Sequence, residues 1–281
     1  RERLGEPRVE RLAGQRAQGP QRRVRARRRI PLASVRRLPP HPRPPLTVVD
    51  HTVQSARMSH PQAPLPLAPT EPPATPSVPA AVELQPGLWL LRAFVAPATL
   101  REPLAAVLDA APPRHYVTPG GQPMSAAMTN CGPLGWTSDR AGYRYSRVDP
   151  ATGRPWPPLP SAFAALARAA AAAAGFVAFA PDACLVNRYA PGAGMTAHQD
   201  RDERDFDAPI VSVSLGLPAR FFWHAGASRR GPSTSVALAS GDVVVFGGES
   251  RRMYHGVRPV RAGSDPLHGA FRYNLTLRKA A

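Results

Sequence analysis

From residue 184 to the end, the chain breaks into short alternating runs separated by turn-forming residues: 184–190, 209–217, 220–224, 234–238, 242–246, 252–258 and 270–278. A segment with period two presents one face to a core and one away from it. Many such segments in succession cannot form a helical bundle or a parallel α/β sheet. They point to a sandwich, a jelly roll or a barrel. The part before them is different. Gly87-Leu88-Trp89-Leu90-Leu91, with Phe94 and Val95, reads as a strand, and residues 97–111 read as a helix with Leu100, Leu104, Val107 and Leu108 at helical spacing. Residues 114–150 are rich in Gly, Pro, Thr, Tyr and Trp and read as loops and short hairpins. Ser161 to Ala174 reads as a second helix, with Ser161 as N-cap and Gly175 as its stop. The fold expected is mostly β with flanking helices.

Composition sets the boundary of that domain. Residues 1–80 hold fifteen arginines against five acidic residues, and 16 of the 36 prolines. Such a segment has too little apolar surface to offset the entropy of ordering. It is expected to be a disordered, basic, Arg/Pro-rich leader, with the folded domain at 81–281. The cluster from Arg22 to Arg29 could serve nucleic-acid binding or targeting, but a solvated tail is the first reading. The chain starts at Arg1, and Met58 lies just before the composition changes; part of the leader is expected to reflect an upstream start.

Several classes are excluded. Cys131 and Cys184 are the only cysteines, too few for a disulfide framework or a cysteine zinc site. The alanine run from Ala169 stops at Ala180, short of the ~20 apolar residues of a membrane span. No apolar core of an export signal follows the early arginines, so a cytoplasmic location is expected. The net charge of +17 favours an anionic partner, nucleic acid first. Nothing demands a second chain, and a monomer without membrane attachment is expected.

The last run carries the strongest pattern. Phe271, Tyr273, Leu275 and Leu277 fall on one face, and Arg272, Asn274, Thr276 and Arg278 on the other. The two arginines could face solvent. If that face lines an interior, both charges need anions, and a small dicarboxylate held at its two ends would satisfy them. His198-Gln199-Asp200 is a second signal. In extended chain the imidazole and carboxylate share a face, and a histidine on a neighbouring strand would complete a two-histidine, one-carboxylate triad suited to non-haem Fe(II). A surface pair gives the same motif. His255 is the preferred third ligand, with His224 and His268 as competitors.

Taken together, Asn187-Arg188-Tyr189, His198-Gln199-Asp200, His255 and Arg272-Tyr273-Asn274-Leu275-Thr276-Leu277-Arg278 resemble the AlkB family of Fe(II)- and 2-oxoglutarate-dependent dioxygenases. Val117-Thr118-Pro119-Gly120-Gly121, Met128-Thr129-Asn130-Cys131-Gly132, Leu134-Gly135-Trp136-Thr137 and Gly241-Asp242-Val243-Val244-Val245 extend the likeness across about residues 83–279. The likeness is strongest to the bacterial repair enzymes of that family.

The resemblance implies a double-stranded β-helix, or jelly roll, with the metal inside. It implies that His198, Asp200 and His255 bind Fe(II). Arg272 would hold the distal carboxylate of 2-oxoglutarate and Arg278 the carboxylate beside the metal, with hydrogen bonds from Asn187, Tyr189 and Asn274. O2 would be the oxidant. The implied reaction demethylates N1-methyladenine and N3-methylcytosine in single- or double-stranded DNA, or in RNA, yielding succinate, CO2 and formaldehyde. Trp136 would stack on the flipped base, opposite the His255 ring, and Asp202 would meet the exocyclic amine. Tyr143, Tyr145 and one of Arg229 and Arg230 would contact the nucleic acid. Two positions depart from the family: Gln122 stands where an aromatic residue is expected, and Phe246 where a tryptophan is. An oxygenase acting on RNA, a protein or a small molecule is the alternative, as is a non-enzymatic nucleic-acid binder led by the basic leader.

Overall fold

The computed structural model describes residues 81–225 and 228–281, so the expected leader lies outside it. Thirteen strands and two α-helices occur among the described residues. A hairpin of β1 (Ala81–Gln85) and β2 (Leu88–Leu91) leads to a 3₁₀ turn and α1 (Arg101–Ala110). Then come β3 (Ala127–Cys131), the hairpin β4 (Gly135–Asp139) and β5 (Gly142–Ser146), and α2 (Ser161–Ala173). The rest is β6 (Ala183–Tyr189), β7 (Met195–His198), β8 (Ile210–Gly216), β9 (Ala219–His224), β10 (Ser233–Leu238), β11 (Val243–Phe246), β12 (His255–Val257) and β13 (Arg272–Arg278).

The strands form two main sheets: a seven-stranded one in the order β1-β2-β11-β8-β13-β6-β3, and a four-stranded one in the order β10-β9-β12-β7. From β6 onward successive strands alternate between the two sheets except at the β9–β10 hairpin, as in the expected jelly roll. The larger sheet is covered on both sides. On its outer face Val211, Val213, Leu215, Val243, Val245, Leu275 and Leu277 pack against Leu104 and Val107 of α1 and Phe163, Ala167, Ala170 and Ala171 of α2. On its inner face Leu88, Leu90, Ile210, Val244 and Phe246 meet Phe221 and Trp223 of the smaller sheet.

This layering decides the ambiguous face of β13. Every residue of β13 is buried. The apolar set faces the helices, and the set with both arginines faces the space between the sheets. No helix among the described residues is long and apolar enough to cross a membrane.

Beyond the added strands β1 and β3 and a β12 shortened to His255–Val257, three local details differ from expectation. The first strand ends at Leu91 rather than running on through Phe94 and Val95, because the chain turns at Ala93, with φ 45°. Pro160, not Ser161, occupies the N-cap of α2, and no side chain caps it. The C-terminus is as expected. Gly175 at φ 88° donates to Ala172 O, and Phe176 donates back to Ala171 O, closing a Schellman motif. The third difference is β7, which follows Pro191-Gly192-Ala193-Gly194 and has four residues. It carries His198.

Candidate active site

β7 and β12 pair antiparallel with His198 opposite His255. This brings two histidines 57 residues apart in sequence to a ring-centroid separation of 4.5 Å. Asp200 follows β7 and turns its carboxylate between them: Oδ1 is 3.7 Å from His198 Nε2, and Oδ2 is 3.9 Å from His255 Nε2. The potential ligand atoms of the three residues all lie within 4.8 Å of one another. The neighbour of His255 makes this approach possible. A Cβ on Gly256 would run into the Met195 carbonyl oxygen and come within 2.7 Å of the Phe222 ring. Any side chain there would push β12 off β7.

Both imidazoles are set in the ligand form. Nδ1 of His198 lies 2.9 Å from Thr196 O, and Nδ1 of His255 lies 3.2 Å from Met253 O. A carbonyl only accepts, so Nδ1 carries a hydrogen in each ring and Nε2 is the atom turned to the cluster. Burial, reinforced by the neighbouring His198, lowers the His255 pKa to about 4, so the ring is neutral at pH 7. Burial alone would raise the Asp200 carboxyl. The Arg278 guanidinium, which donates to Oδ2 at 2.9 Å, and the neighbouring His255 and His198 together outweigh it and hold the carboxyl below the usual range. Two imidazoles and one ionised carboxylate match the donor set of a facial Fe(II) site. His224 and His268 stand apart from this cluster.

Next to the cluster is a narrow inner chamber lined by Asn187, Tyr189, Ser212, Arg272, Asn274, Thr276 and Arg278, closed by Phe221 and Phe246. Strand register assembles it: Arg272 lies opposite Tyr189, and Asn274 opposite Asn187. Arg272 is 1% exposed. Its Nη2 donates to Ser214 Oγ at 3.1 Å, while Nε and Nη1 have no partner. Asn187 Oδ1 is likewise buried without a partner. A buried cation with idle donors is costly unless an anion meets it, so the chamber fits the carboxylate of a small diacid. Asn274 is less free than expected. Its amide hydrogens go to Ser212 Oγ at 2.8 Å and Val213 O at 3.0 Å, and its oxygen accepts from Thr276 at 2.9 Å. Phe246, with its ring centroid 4.9 Å from that of His255, fills the expected tryptophan position with a ring that has no donor.

A wider cavity of about 600 Å3 opens outside the metal cluster. Trp136, Tyr143, Asp202 and Arg229 line it, together with His198 and Arg278. Trp136 and Tyr143 stack with centroids 5.5 Å apart at 16°. Trp136 Nε1 donates to Asp202 Oδ2 at 2.7 Å. Other expected substrate residues lie elsewhere. Of the two arginines, Arg229 lines this cavity and Arg230 does not. Tyr145 does not line it either; its hydroxyl turns inward and donates to Glu203 Oε1 at 2.6 Å. The ring facing the cavity is that of His198, whereas His255 belongs to the inner chamber. Gln122 is not on the cavity wall, although its neighbour Pro123 is.

Two residues of this site have no obvious sequence signal. Glu203 is buried between Arg278 Nε and Arg251 Nη2, each at 3.2 Å. Arg251 also donates to Asp200 O at 2.9 Å and Ala208 O at 2.9 Å, clamping the loop that presents Asp200 and Asp202. Arg251 and Glu203 are 48 residues apart, and only the fold brings them together.

Comparisons with known proteins agree with this geometry. The family model of the 2OG-Fe(II) oxygenase superfamily matches residues 87–278. The alpha-ketoglutarate-dependent dioxygenase AlkB of Salmonella typhimurium is 56% identical over 200 residues, 70% of this chain and 92% of that protein. The protein of the same name from Escherichia coli K12 is 55% identical over 196 residues, 69% of this chain and 90% of that one. The solved structure of OsALKBH1 superposes with a TM-score of 0.62 at 27% identity, covering 71% of this chain and 99% of that chain. The chain therefore belongs to the AlkB family of 2OG-Fe(II) oxygenases, dioxygenases that require Fe(II), 2-oxoglutarate and O2.

Proposed function

We propose that the protein repairs alkylated nucleic acid by oxidative demethylation of N1-methyladenine and N3-methylcytosine, in DNA first and RNA second. The observation that carries this reading is the joining of two chambers at His198: an inner one with an unpaired guanidinium, and an outer one with stacked aromatic rings and a carboxylate. In this reading His198 Nε2, His255 Nε2 and Asp200 hold Fe(II). When bound, iron with 2-oxoglutarate and O2 supplies the two-electron oxidation of a methyl C–H bond, releasing succinate and CO2. The hydroxymethyl group on the base nitrogen then leaves as formaldehyde.

The protein's part is to bind and orient. Arg272 pairs with the distal carboxylate of the cosubstrate, assisted by Asn187 and Tyr189. Asn274 braces this wall, and Arg278 holds Asp200 and the near carboxylate. The methylated bases are cations when N1-methyladenine or N3-methylcytosine, and a cation favours aromatic faces and an anion. Trp136 and Tyr143 supply the first and Asp202 the second. Arg229 at the rim suits a phosphate. Tyr145 and Arg230 act outside the cavity: Tyr145 through Glu203, and Arg230 on the flanking strand.

The test is reaction of the protein with Fe(II), 2-oxoglutarate and single-stranded oligonucleotides bearing one lesion each, followed by mass spectrometry and formaldehyde assay. Release from the N1-methyladenine and N3-methylcytosine strands is expected, and His198→Ala should abolish it. No release from any lesion, in DNA or RNA, would overturn the proposal.

A further inference from the structure

Asp202 is exposed and sits on the loop after β7, where an unrestrained carboxylate would sample several rotamers. It is not unrestrained. Trp136 Nε1 donates to Oδ2 at 2.7 Å. The indole is itself fixed, because Asn130 clamps the Trp136 backbone from both sides: Oδ1 accepts from its N–H at 2.9 Å, and Nδ2 donates to its carbonyl at 2.9 Å. Asn130 is 1% exposed on β3, so this anchor belongs to the rigid sheet. Oδ1 of Asp202 has no hydrogen-bond partner among the described residues, and the residue lines the outer cavity. The arginines on that wall, Arg201, Arg229 and Arg278, form no ion pair with it.

Resting on the demethylase reading, we infer that the Trp136 indole N–H determines lesion selectivity by aiming the free oxygen of Asp202 at the base's exocyclic position. The indole is a donor only, so it fixes one carboxylate oxygen and leaves the second free to accept. N1-methyladenine and N3-methylcytosine carry an exocyclic amine and a positive charge, which that oxygen accepts. N1-methylguanine and N3-methylthymine carry a carbonyl oxygen there and no charge, which it repels. Trp136 is then a stacking surface and also a specificity-determining donor, a role that phenylalanine could not fill.

The experiment compares kcat/KM for N1-methyladenine and N1-methylguanine in the same single-stranded sequence. The ratio of the two does not depend on the fraction of folded enzyme. Trp136→Phe keeps a ring face and removes the donor, and should narrow the ratio roughly tenfold, the weight of one hydrogen bond to a charged group. Asp202→Asn should narrow it similarly, and the double variant should narrow it no further than either alone. In the free protein, Asp202→Asn should also shift the Trp136 indole N–H resonance. An unchanged ratio in an active Trp136→Phe enzyme, multiplying effects in the double variant, or an unmoved indole resonance would overturn the inference alone. A wild type inert on every lesion would overturn the demethylase reading and this inference with it.

Discussion

Arg272 bears a full positive charge between two sheets, 1% exposed, with no carboxylate at ion-pair distance among the described residues. Burial disfavours its charged form, and only the nearby Tyr189 opposes this. Leaving such a charge unpaired costs several kcal/mol, which a bound anion offsets. Arg272→Met should therefore leave the free protein as stable as the wild type or more so. It should also raise the KM for 2-oxoglutarate at least roughly tenfold. Thermal melts with and without 2-oxoglutarate check both. A variant that melts lower when free and still gains stability from 2-oxoglutarate would contradict the assignment. Tyr116, beside Trp136, gives a second residue-scale prediction. Burial raises its pKa to about 12, against a pull downward from Arg114. An unfolded tyrosine ionises near 10, so Tyr116 contributes stability that is whole below that pH and is lost as pH climbs through about 12. Tyr116→Phe should flatten the fall in urea midpoint over that alkaline range.

At the scale of elements, the metal cluster depends on how closely β12 lies against β7. Gly256→Ala forces a methyl group onto the Met195 carbonyl and the Phe222 ring. The strain expected is about 1–3 kcal/mol, and Fe(II) affinity should fall with it, as read by metal titration of the folded variant. The elements also show what was legible beforehand. The alternation on β13 was readable because period two separates its faces whatever lies above them. That both faces are buried was not readable, since it depends on α1 and α2 covering the outer one. β7 escaped notice because four residues after a Gly-rich turn carry too little pattern. The His-x-Asp motif was visible, but its histidine partner rested on a resemblance and became geometry only through the β7–β12 register. Tyr145 looked equivalent to Tyr143, two residues away on the same strand face. Its inward turn depends on Glu203, held by Arg278 of β13 and by Arg251 of the turn before β12. Arg251 and Glu203 were not singled out, because long-range ion pairs leave no local trace in sequence.

At the scale of the molecule, the metal cluster, the inner chamber and the outer cavity all lie within residues 118–278. The +10 of residues 1–80 lies outside the described residues. If the basic leader adds only phosphate attraction, removing residues 1–57 should leave kcat on a methylated oligonucleotide unchanged. It should also reduce the salt dependence of binding. Loss of turnover on truncation would instead make the leader part of the enzyme.

The most direct measurement is a crystal structure of the protein grown without oxygen in the presence of Fe(II) and 2-oxoglutarate, with anomalous data collected at the iron edge. The account predicts one iron peak shared by His198 Nε2, His255 Nε2 and the Asp200 carboxylate, and the far carboxylate of the cosubstrate seated on Arg272. An iron peak elsewhere, or a cosubstrate whose carboxylates leave Arg272 untouched, would contradict it.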